Sequence, residues 1–122
     1  MSLPSQLIRP RSIAAGRAAL GVSMLLRPAL VPTLVGVDPQ ATAATRWVVQ
    51  MLGAREVALG VGTLTQAGRA WTLAGVLCDT VDAAALVLAV RAGTVGRTGG
   101  GAVVAVASLA ALGGLTGLRR PR

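Results

Sequence analysis

Four long apolar stretches dominate the pattern of residues along the chain. They cover residues 12–34, 42–65, 70–91 and 100–118; the last carries no charged side chain, and each of the others carries two or three. None alternates polar and apolar residues with a period of two, so membrane β-strands are not indicated. Because about 20 apolar residues suffice for a helix to cross a bilayer, the pattern predicts four transmembrane helices.

Two of these stretches, 70–91 and 100–118, are apolar on nearly every side of the predicted helix. A helix on the surface of a soluble protein shows a polar stripe, which is missing here. A chain of 122 residues is too short to surround two such helices with its own protein. The sequence therefore predicts an all-α protein, a four-helix transmembrane bundle, forming a single membrane domain over residues 1–122.

Proline and aspartate residues indicate where the helices begin and end. Pro28 should end or kink the first helix, which would place residues 29–37 along the membrane surface. Asp38 followed by Pro39 is typical of a helix N-terminus, so the second helix is expected to run from near Pro39 to near Thr65. The glycine-rich segment 94–101 is expected to be the loop before the last helix.

The composition excludes several classes of protein. Apolar residues make up 53% of the chain, which excludes disorder, and a single cysteine, Cys78, excludes a disulfide scaffold. There is no histidine, so histidine-dependent triads and metal sites are excluded. We expect no cofactor, and no sequence motif indicates an enzyme.

The charge of the chain is strongly basic, with 12 basic against 4 acidic residues and a net charge of +8. A nucleic-acid surface would combine basic residues with aromatic ones, but only Trp47 and Trp71 are aromatic. All the basic residues are arginines, and most lie at predicted helix ends, where they contact lipid headgroups. The two tryptophans fall near opposite membrane faces, as interface anchors do. We therefore expect a lipid bilayer as the partner and no nucleic acid.

The distribution of arginine also predicts orientation. With four spans both termini lie on one side, which holds six arginines against four on the other. Those on the terminal side are Arg9, Arg11, Arg69, Arg119, Arg120 and Arg122. The positive-inside rule then predicts a multi-pass protein of the cell membrane, inner or plasma, with cytoplasmic termini.

Of the charged residues in the apolar stretches, five lie away from the predicted helix ends, and they are the candidate site: Arg17, Arg55, Glu56, Asp79 and Asp82. At about 1.5 Å per helical residue, all five fall within one slab of the membrane roughly 8 Å thick. Each ionised group costs several kcal/mol there unless it has a partner, so we expect the five to meet inside the bundle. Three carboxylates without a recognised motif do not indicate a metal site.

The expected pairing sets Arg17 and Arg55 against Asp79 and Asp82. Because adjacent helical residues point about 100° apart, Arg55 and Glu56 are not expected to pair with each other. The formal charge of the cluster is −1. Either one carboxyl group is protonated or a cationic ligand supplies the missing charge, so the cluster serves as structure or as a ligand site.

Two short motifs resemble a known family. Residues 53–60 read Gly-Ala-Arg-Glu-Val-Ala-Leu-Gly, and residues 78–83 read Cys-Asp-Thr-Val-Asp-Ala. They resemble a family of small four-helix membrane proteins from bacteria and fungi, classed as a domain of unknown function, and the chain is also similar to the DoxX type. The resemblance covers about residues 14–118 and implies the four-helix membrane fold. It implies shared signature positions at Arg55, Glu56 and Asp82, but no reaction.

Three functional classes stay open at this point. The first is a small non-enzymatic membrane protein, either an accessory subunit of a larger membrane complex or a module that binds a small hydrophobic or cationic ligand. The second is a membrane enzyme or a proton-coupled carrier of small molecules that uses the intramembrane carboxylates. The third is a soluble bundle that buries its helices by forming a homo-oligomer.

The predicted orientation can be tested with introduced cysteines. A cysteine at Ser5 should resist an impermeant thiol reagent in intact cells, while one at Thr98 should react, because the two positions lie on opposite sides of the membrane. The parent chain, with Cys78 in an apolar stretch, is the control. The opposite labelling pattern would reverse the orientation and leave the four spans intact.

Overall fold

The computed structural model describes residues 10–66 and 68–119. Within these ranges the chain is all helical, which confirms the predicted all-α class. The helices are α1 (Pro10–Leu26), α2 (Leu30–Leu34), α3 (Pro39–Ala44), α4 (Arg46–Gln66), α5 (Arg69–Arg91) and α6 (Arg97–Arg119). Four terminal residues used in the orientation argument, Ser5, Arg9, Arg120 and Arg122, lie outside the described residues.

The first two apolar stretches are each divided in two. α1 ends at Leu26, just before Pro28, whose ring and missing N–H stop the helix. Asp38 caps α3 as expected, since its carboxylate accepts hydrogen bonds from the backbone N–H groups of Gln40 and Ala41, at 2.8 and 3.3 Å. The expected single helix from Pro39 to Thr65 is not found.

Thr45 separates α3 from α4 at this break. Its hydroxyl donates to the carbonyl oxygen of Ala41 at 2.7 Å. Threonine hydroxyls offer the backbone such local alternatives to regular helix, and they often bend it. The four long helices are therefore α1, α4, α5 and α6, and the two short ones lie together between α1 and α4 in the sequence.

The long helices form two antiparallel pairs, α1 with α4 and α5 with α6, with far fewer contacts between the pairs than within them. α1 and α4 are in backbone contact, because a Cβ atom on Gly21 would lie 2.5 Å from the carbonyl oxygen of Gly53. A Cβ atom on Gly60 would lie 2.6 Å from the carbonyl oxygen of Ala14. Small residues allow helices to approach this closely.

The two pairs are also joined at both ends of the long helices. At one end, α4 ends at Gln66 and α5 begins at Arg69, so the two helices follow each other closely in the sequence. At the other end, the backbone N–H of Gly96, just before α6, donates to the carbonyl oxygen of Val35, just after α2, at 2.9 Å. Gly36 makes this turn possible, because its φ of 75° suits a residue without a Cβ atom.

Most of the apolar surface is not covered by protein. Nineteen large hydrophobic side chains of the described residues are exposed. No large side chain in the described part of the chain is fully buried. α5 and α6 are long and apolar enough to cross a membrane. In each helix, only 11% of the most apolar 18-residue segment is buried. The fold therefore has two candidate membrane spans with lipid-compatible surfaces.

The contact between α1 and α4 predicts a sharp difference between two glycines of α1. Gly21→Ala should lower the free energy of unfolding by about 1–3 kcal/mol, because the new methyl group meets backbone atoms of α4. Gly16→Ala is the matched control, since nothing lies within 4 Å of its Cβ position. It should be neutral or stabilising by up to about 1 kcal/mol through helix propensity. Unfolding of the purified protein in detergent measures both, and equal effects would contradict the close contact.

Candidate functional site

Arg17 joins three helices at the centre of the molecule. Its Nη1 donates to Glu56 Oε2 on α4 at 2.6 Å. Its Nη2 donates to the carboxylate of Asp79 on α5 and, at 3.2 Å, to the carbonyl oxygen of Gly75. A Cβ atom on Gly75 would lie 3.3 Å from Nη2, so the glycine leaves the guanidinium room to reach that carbonyl.

Glu56 lies between two arginines. While Oε2 accepts from Arg17, Oε1 accepts from Nη2 and Nε of Arg55, at 2.9 and 3.3 Å. The expectation that Arg55 and Glu56 do not pair is therefore wrong. Adjacent Cβ atoms do point apart on a helix, but the arginine side chain is long enough to fold back onto its neighbour.

Asp82 completes the cluster at its outer end. Arg55 binds it in a bidentate manner, with Nη1 donating to Oδ1 at 3.2 Å and Nη2 donating to Oδ2. The structure thus brings all five predicted residues together as a chain of alternating charge. Its order is Asp79, Arg17, Glu56, Arg55 and Asp82.

The five side chains differ in exposure. Those of Arg17, Glu56 and Asp79 are only 10%, 7% and 9% exposed, whereas those of Arg55 and Asp82 are 31% and 40% exposed. The cluster therefore has a buried inner part and an accessible outer part. Glu56 is the midpoint of α4 and Asp79 lies next to the midpoint of α5. At about 1.5 Å per residue, both are about 15 Å from the terminal-side ends of their helices.

A cavity of about 760 Å³ lies between the two helix pairs, and all five charged residues line it. Every other lining residue is apolar or glycine. Some of these, including Leu20, Val106 and Leu109, are exposed, so the cavity opens sideways between the helices rather than being sealed. No pattern in the sequence indicated this space, because α6 contributes to it only with apolar side chains such as Val103.

The carboxylates are held by arginines rather than arranged for a metal. Within residues 10–66 and 68–119, no group of three histidine, cysteine, aspartate or glutamate side chains could hold a metal ion. Both oxygens of Glu56 and both oxygens of Asp82 accept hydrogen bonds from guanidinium groups. The accessible end of the cluster, formed by Arg55 and Asp82, can bind and release a charged group.

Comparison with known proteins gives no match: no protein-family model, no curated protein and no solved structure is similar to this chain. The resemblance to the family of unknown function and to the DoxX type stays an expectation drawn from two short motifs. The site must therefore be interpreted from its own geometry.

The geometry predicts that Glu56 matters more for stability than Asp82. Glu56→Gln should cost about 1.5–3 kcal/mol of unfolding free energy, because a buried carboxylate that accepts from both Arg17 and Arg55 becomes an amide whose nitrogen cannot accept, although each arginine keeps one aspartate. Asp82→Asn should cost about 1 kcal/mol or less, since Asp82 is accessible and Arg55 keeps Glu56 as a partner.

The matched control is Asp38→Asn, which removes the same charge at an exposed helix cap where asparagine serves equally well. It should be close to neutral. Thermal and denaturant unfolding of the three variants in one detergent gives the ranking. A Glu56→Gln variant as stable as the parent would contradict the central role of this carboxylate.

Proposed function

We propose that the chain is an integral membrane protein that crosses a cell membrane four times and binds a small ligand between its helix pairs. The ligand-binding role is non-enzymatic, and the protein acts alone or as a subunit of a larger membrane complex. The observation that carries the proposal is the 760 Å³ apolar cavity with a charged cluster on its wall.

Helix lengths support the four-span arrangement. α1 has 17 described residues, α4 has 21, and α5 and α6 have 23 each. At about 1.5 Å per residue these lengths are roughly 26 to 35 Å, close to the hydrocarbon thickness of about 30 Å. Exposed arginines lie at the ends of the helices, as Arg46, Arg69, Arg91, Arg97 and Arg119 do. In the proposed arrangement the charges lie in the headgroup regions and the apolar side chains lie between them.

The tryptophans support the same arrangement. Trp47 is the second residue of α4 and Trp71 the third residue of α5, so the two indole rings fall at opposite ends of the antiparallel helices. Trp71 packs over Gly62 and donates its Nε1–H to Gln66 at 3.0 Å, which keeps its polar edge near the helix end. Both positions suit membrane interfaces. The arginine bias favours cytoplasmic termini.

The cavity has the properties of a small-molecule site. Its volume falls within the range of about 300–1,000 Å³ that such sites occupy, and a few charged groups sit among apolar walls. Charged residues halfway across a bilayer are expensive and usually mark a functional site. These properties favour ligand binding over a purely structural role for the cluster.

Membrane integration has a direct test. The expressed chain should sediment with membranes, stay there in alkaline carbonate and dissolve in mild detergent, because its apolar surface is exposed to lipid. Release by carbonate, together with a defined oligomer in detergent-free buffer, would overturn the membrane assignment and support the soluble bundle that buries its helices by self-association.

Ligand binding can be tested by filling the cavity. Ala89 lines the cavity, whereas Ala84, on the same helix, does not. Ala89→Trp should reduce binding of a neutral apolar probe, decanol, by at least about fivefold, while Ala84→Trp leaves it unchanged. Native mass spectrometry of the protein released from phosphatidylcholine nanodiscs measures the bound fraction. Equal retention in both variants would show that decanol binds elsewhere.

A further inference from the structure

We infer that the ligand of this cavity is an organic monocation with an apolar tail, bound with its charge against Asp82. The inference rests on the proposed ligand-binding function and names the class of ligand. It follows from the charge balance of the cluster, the accessibility of its members and the shape of the apolar wall.

The charge balance leaves one carboxylate without a cation of its own. Arg17 and Asp79 form one neutral pair, and Arg55 and Glu56 form another. Asp82 is the remaining member, and it shares Arg55 with Glu56. In a chain of net charge +8, three of the four acidic residues are gathered here, so the local excess of negative charge is opposite to that of the whole protein. A single positive charge would neutralise the cluster.

Accessibility points to the same residue. Asp82 has the most exposed side chain of the five, at 40%, and it lines the cavity. When a cation binds Asp82, Arg55 can keep both of its hydrogen bonds to Glu56. Its guanidinium group therefore stays paired with a carboxylate. Arg55 then acts as a positioning residue that holds Asp82 toward the cavity in the empty state.

An anion is disfavoured at the same place. Arg17 is 10% exposed and already donates to three acceptors, so little of its guanidinium group is open to a ligand. Arg55 is held by two carboxylates. An anionic group would have to displace one of these carboxylates from its arginine. It would also change the formal charge of the cluster from −1 to −2. Like charges held together in a medium of low dielectric constant repel strongly.

The apolar wall determines the rest of the ligand. From Asp82 the cavity extends along α5 past Leu86 to Ala89, about 10 Å at 1.5 Å per residue. Met24 and Val103 line it on the same side of the cluster, toward the end of the bundle where Val35 and Gly96 meet. No charged or hydroxyl side chain lines this part. A flexible alkyl tail or a compact apolar ring system fits such a wall.

The experiment compares three probes that share one tail: decyltrimethylammonium, decanol and decanoate. Each is added to the protein in phosphatidylcholine nanodiscs, and native mass spectrometry measures pairwise competition. We expect the parent to favour decyltrimethylammonium over decanol by at least about tenfold, and decanoate to bind least. Asp82→Asn should reduce the preference to near parity, and Asp82→Glu should restore most of it. Asp38→Asn, with the same loss of charge away from the cavity, should keep the full preference.

The outcomes separate the two levels of the proposal. Equal binding of the cation and decanol to the parent would overturn the assignment of a monocation and leave the cavity as an apolar site. A preference that survives Asp82→Asn would overturn the role of Asp82. Failure of all three probes to bind the parent would overturn the proposed function itself. Decanol binding to Asp82→Asn shows that this variant is folded, so loss of the preference alone cannot be ascribed to unfolding.

Discussion

The carboxylate of Glu56, shared between the guanidinium groups of Arg17 and Arg55, is the interaction on which the arrangement of the helices depends. The two helix pairs make few contacts with each other, and the cluster supplies the main connection between them at mid-height. Both oxygens of this shared carboxylate are occupied. Each oxygen accepts hydrogen bonds from one arginine, and each arginine also donates to an aspartate on α5. Displacing α5 therefore breaks two charged pairs, of which the one between Arg17 and Asp79 is largely buried.

Glycine packing makes this connection possible. Arg17 and Glu56 are 39 residues apart in sequence, and they meet because α1 and α4 touch through their backbones at Gly21, Gly53 and Gly60. The same principle operates on the other side, where a glycine of α5 gives Arg17 access to a backbone carbonyl. Small residues here set the distances at which a few long polar side chains can reach across.

The sequence was most informative where one physical preference acts alone. The continuous apolar stretches predicted α5 and the end of α6 to within one residue, because little competes with helix formation there, but the expectation of a loop over 94–101 was wrong, since α6 begins at Arg97. The common depth of the five charged residues pointed to one cluster. The break at Thr45 could not be foreseen, since no proline or glycine lies there to end the helix. The pairing of Arg55 with Glu56 was missed because Cβ directions ignore the reach of arginine. A ligand site at the cluster was one of the two expected roles, but the size and the apolar walls of the cavity could not be foreseen, since empty volume has no pattern of its own in a sequence.

The connections at both ends of the bundle have a consequence for the route by which a ligand reaches the cavity. At one end α4 and α5 follow each other closely in the sequence, and at the other the hydrogen bond between Gly96 and Val35 joins the helix pairs, whereas exposed apolar residues such as Leu109 flank the cavity along its side. In a bilayer, that side faces hydrocarbon. The occupancy of such a cavity would follow the mole fraction of its ligand among the lipids, and two compounds of equal aqueous concentration would fill it unequally if they partition differently into the membrane.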